Sequence, residues 1–501
     1  MIMKKITFLN NIKEKSIIFF LALAILNSCS ADFDRDYEYE RHSSDSQKAD
    51  LAASGNTLGL QAQDGAILAY FRDGIDGPGS TDEFGIKAID LGMDLRSNDM
   101  DMSRNTWFGA YSTYDNVITN SNDNDFIWEF LYKVIGNANG IINSIPDESP
   151  QEVLVFKNKS YLYRGIAYFY LLRIYQHTTA SDATEAVPID FGDFGSGNPK
   201  STVGQVKERI LEDLTWAYDG LKDYSRASKE EVDGSIAAAY LARFHLTYEN
   251  WSQAEKFADI AMQVGSISED VSHGFDELSL SEAMWGSIVT DATTEIYASF
   301  FSHMSQINDG YSGWNHFKTV NSNLYNMIPA TDKRLAWFAD QDYDADVILV
   351  PGTWGHYNIT PKYTSLKFIS AGGPGVFVGD YIYLRNTEFY LTKAEALARQ
   401  GNDPDAQQVL YDLNSVRDES YTKSTNTGQA LIDEILMYRR IELWGDGVAS
   451  FDMARLGVGL DRQDGRENPI IPGGEIKIPA LDPKMIFDIP QAETESNPAI
   501  N

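Results

Sequence analysis

Apolar residues recur at helical spacing along much of the chain. Between Phe126 and Ile142 they fall at Ile127, Leu131, Ile135 and Ile142, one stripe of an amphipathic helix. Tyr161–Tyr175 is apolar nearly all round, which predicts a buried helix. Thr202-Val203-Gly204-Gln205 has the form of a capping box, in which the Thr hydroxyl and Gln amide satisfy N–H groups that a helix start leaves orphaned. Val206, Ile210, Leu214, Ala217 and Leu221 then line one face of the helix it opens.

Two later segments share an internal spacing. Ala242, Ala254 and Ala261 mark the first, and Ala394 and Ala406 repeat its twelve-residue separation in the second. Small residues at matching points of two helices let backbones approach closely. Asn250-Trp251 and Gly401-Asn402 supply the turns between. This is the pattern of tetratricopeptide-like (TPR-like) helical hairpins. Helical scaffold is therefore expected over 126–265 and 382–445. Residues 266–380 read differently. They are rich in Gly, Ser, Asp and aromatics, with short apolar runs and many turn signals, which predicts long loops and a few short strands. The fold class expected is mainly α, with TPR-like hairpins scaffolding a loop-rich half.

The amino terminus changes the picture of where this fold resides. Lys4 and Lys5 precede the apolar run Ile17–Leu26, which is too short to span a bilayer. It ends in Leu26-Asn27-Ser28-Cys29, the shape of a lipobox, and Cys29 is the only cysteine in 501 residues. Residues 1–28 thus read as a lipoprotein signal peptide, Cys29 as the lipidation site and 29–50 as a polar tether. The processed chain, 29–501, would be anchored to a membrane by lipid alone. With 41 basic and 73 acidic side chains the net charge is −32; residues 1–28 hold four Lys and one Glu, so processing moves it to −35. That field repels phosphate backbones and argues against nucleic acid as a partner. No thiol chemistry is expected once Cys29 is acylated.

At this point five motifs, in order, resemble the SusD/RagB family. Trp128…Tyr132…Ile135…Ala138-Asn139 is similar to its first helix signature, and Arg164–Tyr175 to its second. Arg385…Glu388…Tyr390-Leu391…Ala394-Glu395-Ala396 and Leu413-Asn414-Ser415-Val416-Arg417 match the third block. Arg439-Arg440-Ile441-Glu442-Leu443…Gly447…Asp452…Arg455…Gly457 matches the fourth, with departures at Tyr438, Asp446 and Ala449. The tail Ile489-Pro490-Gln491-Ala492-Glu493…Asn497-Pro498 resembles the family's ending. The resemblance implies an outer-membrane lipoprotein facing outside. It would capture oligosaccharide and hand it to a SusC-like TonB-dependent transporter barrel, without catalysis, cofactor or metal.

Sugar binding needs flat apolar faces for the pyranose ring and side chains that hydrogen-bond its hydroxyls. Two stretches supply both, and in the family the ligand surface is built from loops there. Asp99–Tyr114 holds Arg104, Asn105, Trp107 and Tyr111; His303–Phe317 holds Tyr311, Trp314 and His316. Trp107 and Trp314 lead as stacking residues, with Trp285, Trp354 and Tyr357 behind them. Trp128, Trp216, Trp251 and Trp444 lie in helical motifs and are assigned to packing. Other chemistry finds little footing. His303 and His316 stand thirteen apart, which is no metal spacing, and Asp340, Asp342, Asp344 and Asp346 lack the Gly and Glu of a calcium loop. Two rivals remain at this stage: a surface-anchored glycoside hydrolase, and a structural lipoprotein that binds another protein through its TPR-like helices.

Overall fold

The computed structural model describes residues 57–74, 81–102, 107–192, 197–294, 299–305, 310–312, 316–340, 343–344, 359–360, 362–370, 378–463 and 475–500. The expected signal peptide (1–28), Cys29 and the expected tether (29–50) lie outside them. The chain divides into two units. The described part of the smaller is Thr57 and residues 144–153, a turn in which Ser149 N–H donates to the Pro146 carbonyl and Val153 N–H to that of Pro150. The larger takes 58–143 and 154–501 and holds the elements below, apart from Ser144 and Gln151–Val153.

Its main helices are α1 (Leu58–Asp73), α2 (Gly85–Leu95), α3 (Gly109–Thr113), α4 (Asn122–Ser144), α5 (Gln151–Tyr175), α6 (Val203–Leu221), α7 (Gly234–Thr247), α8 (Trp251–Ala261), α9 (Phe300–Met304), α10 (Ser322–Tyr325), α11 (Thr387–Arg399), α12 (Asp403–Arg417), α13 (Gln429–Glu442), α14 (Ala449–Arg455) and α15 (Gln491–Ser496). The capping box at α6 is formed: Gln205 N–H donates to Thr202 Oγ1 at 3.3 Å, and Thr202 N–H to Gln205 Oε1 at 2.8 Å. Every residue of the expected α6 stripe is fully buried. The hairpin α7–α8 turns where Asn250 N–H reaches the His245 carbonyl, and α11–α12 turns at Gly401, whose φ of 77° a side chain would strain. Ala242, Ala254, Ala261, Ala394 and Ala406 have no exposed surface. Their missing bulk lets α8 pack on α11, so α7, α8, α11 and α12 stack in sequence. The fold is mainly helical, as the periodicity predicts.

Strands are short and pair as antiparallel ribbons among the described residues: β1 (Met100–Met102) with β5 (Lys318–Val320), β2 (Glu185–Pro188) with β3 (Lys200–Thr202), β4 (Ala283–Ser287) with β8 (Tyr381–Arg385), β6 (Tyr343–Asp344) with β7 (Ile359–Thr360), and β9 (Leu460–Asp461) with β10 (Lys477–Ile478). Residues 266–380 also hold the short helices α9 and α10. Ser299 and Asn321 cap their starts, a local signal masked in the sequence by the absence of any longer period.

The family-like motifs meet in buried ion networks. Glu442 accepts from Arg334 (3.1 Å), Arg385 (2.9 Å) and Arg417 (2.8 Å); Glu282 accepts from Arg385 and Arg417. Asp332 pairs with Arg334, and Asp446 with Arg385 and Lys367. Four cations thus face four carboxylates, which offsets the desolvation each would suffer alone. A second chain of pairs runs Arg243–Glu388, Arg439–Asp452 and Arg455–Glu395. The motif departures find local partners too. Tyr438 lies under the Arg334 guanidinium, Asp446 completes the first network, and Ala449 N–H donates to Asp94. Arg164 forks onto Asp213 with both contacts at 2.8 Å and reaches Asn139, and Asn497 ties the tail to the Asn198 carbonyl.

Candidate functional site

The β1–β5 ribbon brings the two expected ligand loops together. Met102, inside the first loop, pairs with Lys318, just after the second. Trp107 then stands against Tyr311, ring centroids 3.7 Å apart, and 5.1 Å from His316 at 72°. The stack continues inward. Tyr311 lies on His303 (4.8 Å, 28°), and His303 on Phe84 (5.7 Å, 22°), with Phe108 edge-on at 4.9 Å.

Local backbone holds this arrangement. Tyr311 N–H and Ser312 N–H donate to the Oγ and carbonyl of Ser302 at the buried helix α9. Gly310 permits that approach, since a Cβ there would meet the Ser302 carbonyl at 2.6 Å. His303 Nε2 donates to the Thr81 carbonyl at 2.6 Å, because a carbonyl only accepts. Burial, with the Lys318 charge nearby, holds its imidazole well below the usual histidine range, so it is neutral at pH 7. Lys318 itself is 1% exposed, and among the described residues its ammonium has one hydrogen bond, to the His316 carbonyl at 3.1 Å; burial pushes that ammonium down to about 7. Trp107 has φ of 41°, a left-handed conformation that a bulky side chain rarely adopts. It is also 39% exposed, where most large apolar side chains described are buried.

The residues expected to bind separate in this frame. Trp107 alone among those described keeps substantial exposed ring. Tyr311 (7% exposed) and His316 (8%) lie behind it as support rather than surface. Tyr111 is a correction: at 2% exposed it packs between Phe108 and Phe487, and Gly92 abuts its ring so closely that a Cβ would sit 2.4 Å away. A sugar has no face of it to reach. Arg104, Asn105 and Trp314 fall outside the described residues, as do Trp354 and Tyr357. Trp285 is fully buried among Phe71, Tyr240 and Tyr383 and belongs to the core. Trp128 and Trp444 are buried as expected, and Trp251 packs on the α7–α8 cluster. Trp216, assigned to packing, is instead 43% exposed on α6, edge-on to Tyr161. Phe84 and Lys318 complete the site without a sequence signal. Phe84 stands apart from both loops, and Lys318 reads as an ordinary outward strand residue in Phe317-Lys318-Thr319-Val320. Among the described residues no group of three or more His, Cys, Asp or Glu could hold a metal ion.

Trp107 thus stands partly exposed on a base of packed aromatic rings, in a molecule whose helical hairpins stack in sequence. The comparisons agree on the fold and go further. A family model described as starch-binding and associating with the outer membrane matches residues 77–246, and the SusD family model matches 377–501. The crystal structure of a SusD-like carbohydrate binding protein from Bacteroides vulgatus is 21% identical, with TM-score 0.76 over 89% of this chain and 97% of that one. A SusD superfamily protein from Bacteroides thetaiotaomicron is 23% identical, with TM-score 0.71 over 88% and 98%. Surface glycan-binding protein A from Bacteroides uniformis is 17% identical, with TM-score 0.66 over 88% and 98%. No curated protein matches the chain. The chain belongs to the SusD/RagB family.

Proposed function

We propose that this protein binds a glycan at the outer membrane surface and stacks it on Trp107. The observation that carries the reading is the indole itself: exposed, held at a costly backbone angle, and backed by Tyr311 and His303. Such strain persists where the surroundings over-determine it, and functional surfaces are where it collects. An aromatic face suits the C–H side of a pyranose, and the rigid base means little entropy is lost on binding. A matching family model described as starch-binding and a structural neighbour described as glycan-binding support the ligand class. Arg104, Asn105 and Trp314 flank the site in sequence and are proposed as its remaining contacts.

The handover to a SusC-like transporter barrel and anchoring through Cys29 belong to the same reading. Among the described residues no helix is long and apolar enough to cross a membrane. The test is affinity electrophoresis of the parent and Trp107→Ala through a panel of soluble glycans. The variant should lose about 1–3 kcal/mol of affinity, the scale of one aromatic anchor. Unchanged retention on every glycan that retards the parent would overturn the Trp107 assignment. Cys29→Ala should shift the protein from the membrane to the soluble fraction, since acyl chains supply ~0.8 kcal/mol per buried CH₂.

A further inference from the structure

One groove in the larger unit shares no residue with the Trp107 site. α4 forms one wall, α15 and Asp190 the other, and Tyr70 of α1 also lines it. It holds about 600 Å³, within the roughly 300–1,000 Å³ of small-molecule sites. On α4 the lining residues Asp125, Trp128, Tyr132 and Gly136 fall at i, i+3, i+7 and i+11, one face of a helix, so this wall runs about 16 Å. Tyr70 and Tyr132 are partly exposed, and the nearly buried Trp128 backs Tyr132 with ring centroids 4.7 Å apart. Hydrogen bonds fix both rings. Tyr132 Oη donates to the Pro188 carbonyl at 2.7 Å, and Trp128 Nε1 to Glu493 Oε2 at 3.2 Å. Gly136 leaves the next turn of the wall bare. A Cβ there would meet nothing within 4 Å, whereas one at Gly165 of α5 would meet Leu214 at 2.9 Å. Packing thus requires the second glycine and not the first, although a glycine inside a helix costs stability relative to alanine.

We propose that this groove is a second saccharide site, and that it takes an oligosaccharide carrying amino groups. Aromatic faces suit the C–H side of a pyranose, and the bare backbone at Gly136 lets a ring approach closely. The polar lining selects the substituent. Among the described residues Asp125, Glu129, Asp190 and Glu493 supply four carboxylates, and Lys133 the one ammonium. Carboxylates only accept hydrogen bonds, so they suit a ligand rich in donors. Four carboxylates against one ammonium leave three negative charges, which favour a sugar ammonium over a neutral hydroxyl and repel a uronate or a sulfate. The partly exposed tyrosine rings add cation–π attraction for the same group. The groove is independent of the Trp107 assignment, and it is tested with that residue removed.

The test is calorimetric titration of the Trp107→Ala chain with a glucosamine tetramer at pH 6, where its amines are charged. The N-acetylated tetramer, tetragalacturonate and tetralysine are the comparisons. The glucosamine tetramer should bind one to one and about tenfold more tightly than the acetylated one, while tetragalacturonate gives no heat. Gly136→Leu, added to the same chain, should melt no lower, because its side chain enters open space on a helix, and should still weaken binding about tenfold or more. A glycine of purely structural use would not separate those two readouts. Glu129→Gln alters an exposed side chain and should weaken binding several-fold at low salt and less at high salt, as screening requires. Equal affinity for the acetylated tetramer or for tetralysine would overturn the amino-sugar assignment. Absence of binding, or affinity unchanged in both variants, would overturn the site and leave the Trp107 reading, which is measured on the parent, where it stands.

Discussion

The ion network around Glu442 and the aromatic stack behind Trp107 treat buried charge in opposite ways. The first neutralises it. Arg334, Arg385, Arg417 and Lys367 face Glu282, Asp332, Glu442 and Asp446, and Glu442 is held well below the usual carboxylate range despite complete burial. The second leaves it uncompensated. Lys318 is buried with one carbonyl as its partner, beside a neutral His303. One region uses charge to lock helices to the loop segments that cross them. The other tolerates a costly buried amine and a strained, exposed tryptophan, the kind of local cost that marks it as a candidate site rather than scaffold.

The sharpest way to break this contrast is Glu442→Gln. It leaves three guanidinium groups sharing Glu282, Asp332 and Asp446, and removing one partner of a buried ionic cluster costs about 3–5 kcal/mol. Denaturant unfolding at pH 7 measures it. The pH dependence follows from the direction of the shift. The folded pKa lies below the unfolded value of 4.5, so the stabilisation is complete above about pH 4.5 and is lost as pH falls through the folded value. The gap between parent and variant should therefore be constant near neutrality and close in acid. A gap that persists unchanged at pH 2–3 would assign the loss to packing instead.

Lys318→Met should act in the reverse direction and stabilise the protein by about 1–3 kcal/mol, because an amine without a counter-charge is replaced by an apolar chain of similar length. The folded pKa, about 7, lies below the unfolded 10.5, so the penalty is full below pH 7 and fades as pH rises through that window. The gain should be largest at pH 6–7 and shrink toward pH 10. Melting curves at both ends check it. A destabilised variant would mean the bond to the His316 carbonyl outweighs the buried charge.

These two regions were unequally legible from the residues alone. The α6 cap and stripe and the alanine spacing of α7–α8 and α11–α12 were readable because they are local and periodic. Arg385, Arg417 and Glu442 were visible as motif positions. Their partners Glu282, Asp332, Arg334 and Lys367 were not, since they arrive from 266–380, where no period announces them. The β1–β5 register brings the two expected loops together. The pattern did not say which aromatics would face outward. Tyr111 is core, Tyr311 is support, and Trp216, expected to pack, is exposed, because depth within a cluster depends on long-range neighbours such as Phe84 and Phe487.

The smallest expected effect separates strain from stacking at one position. Trp107 sits at φ of 41°, where alanine carries the Cβ penalty and glycine does not. Elsewhere glycine destabilises relative to alanine by roughly 0.5–1 kcal/mol through the freedom it loses on folding. Here the order should invert, with Trp107→Gly more stable than Trp107→Ala by about 1 kcal/mol. Both variants remove the indole and should lose the same glycan affinity. Chemical denaturation of the pair, with glycan titration beside it, reads the two contributions separately. If glycine is the less stable of the two, the backbone at Trp107 relaxes once the indole is gone. The ring's contact with Tyr311, rather than the surrounding fold, would then be what holds that angle.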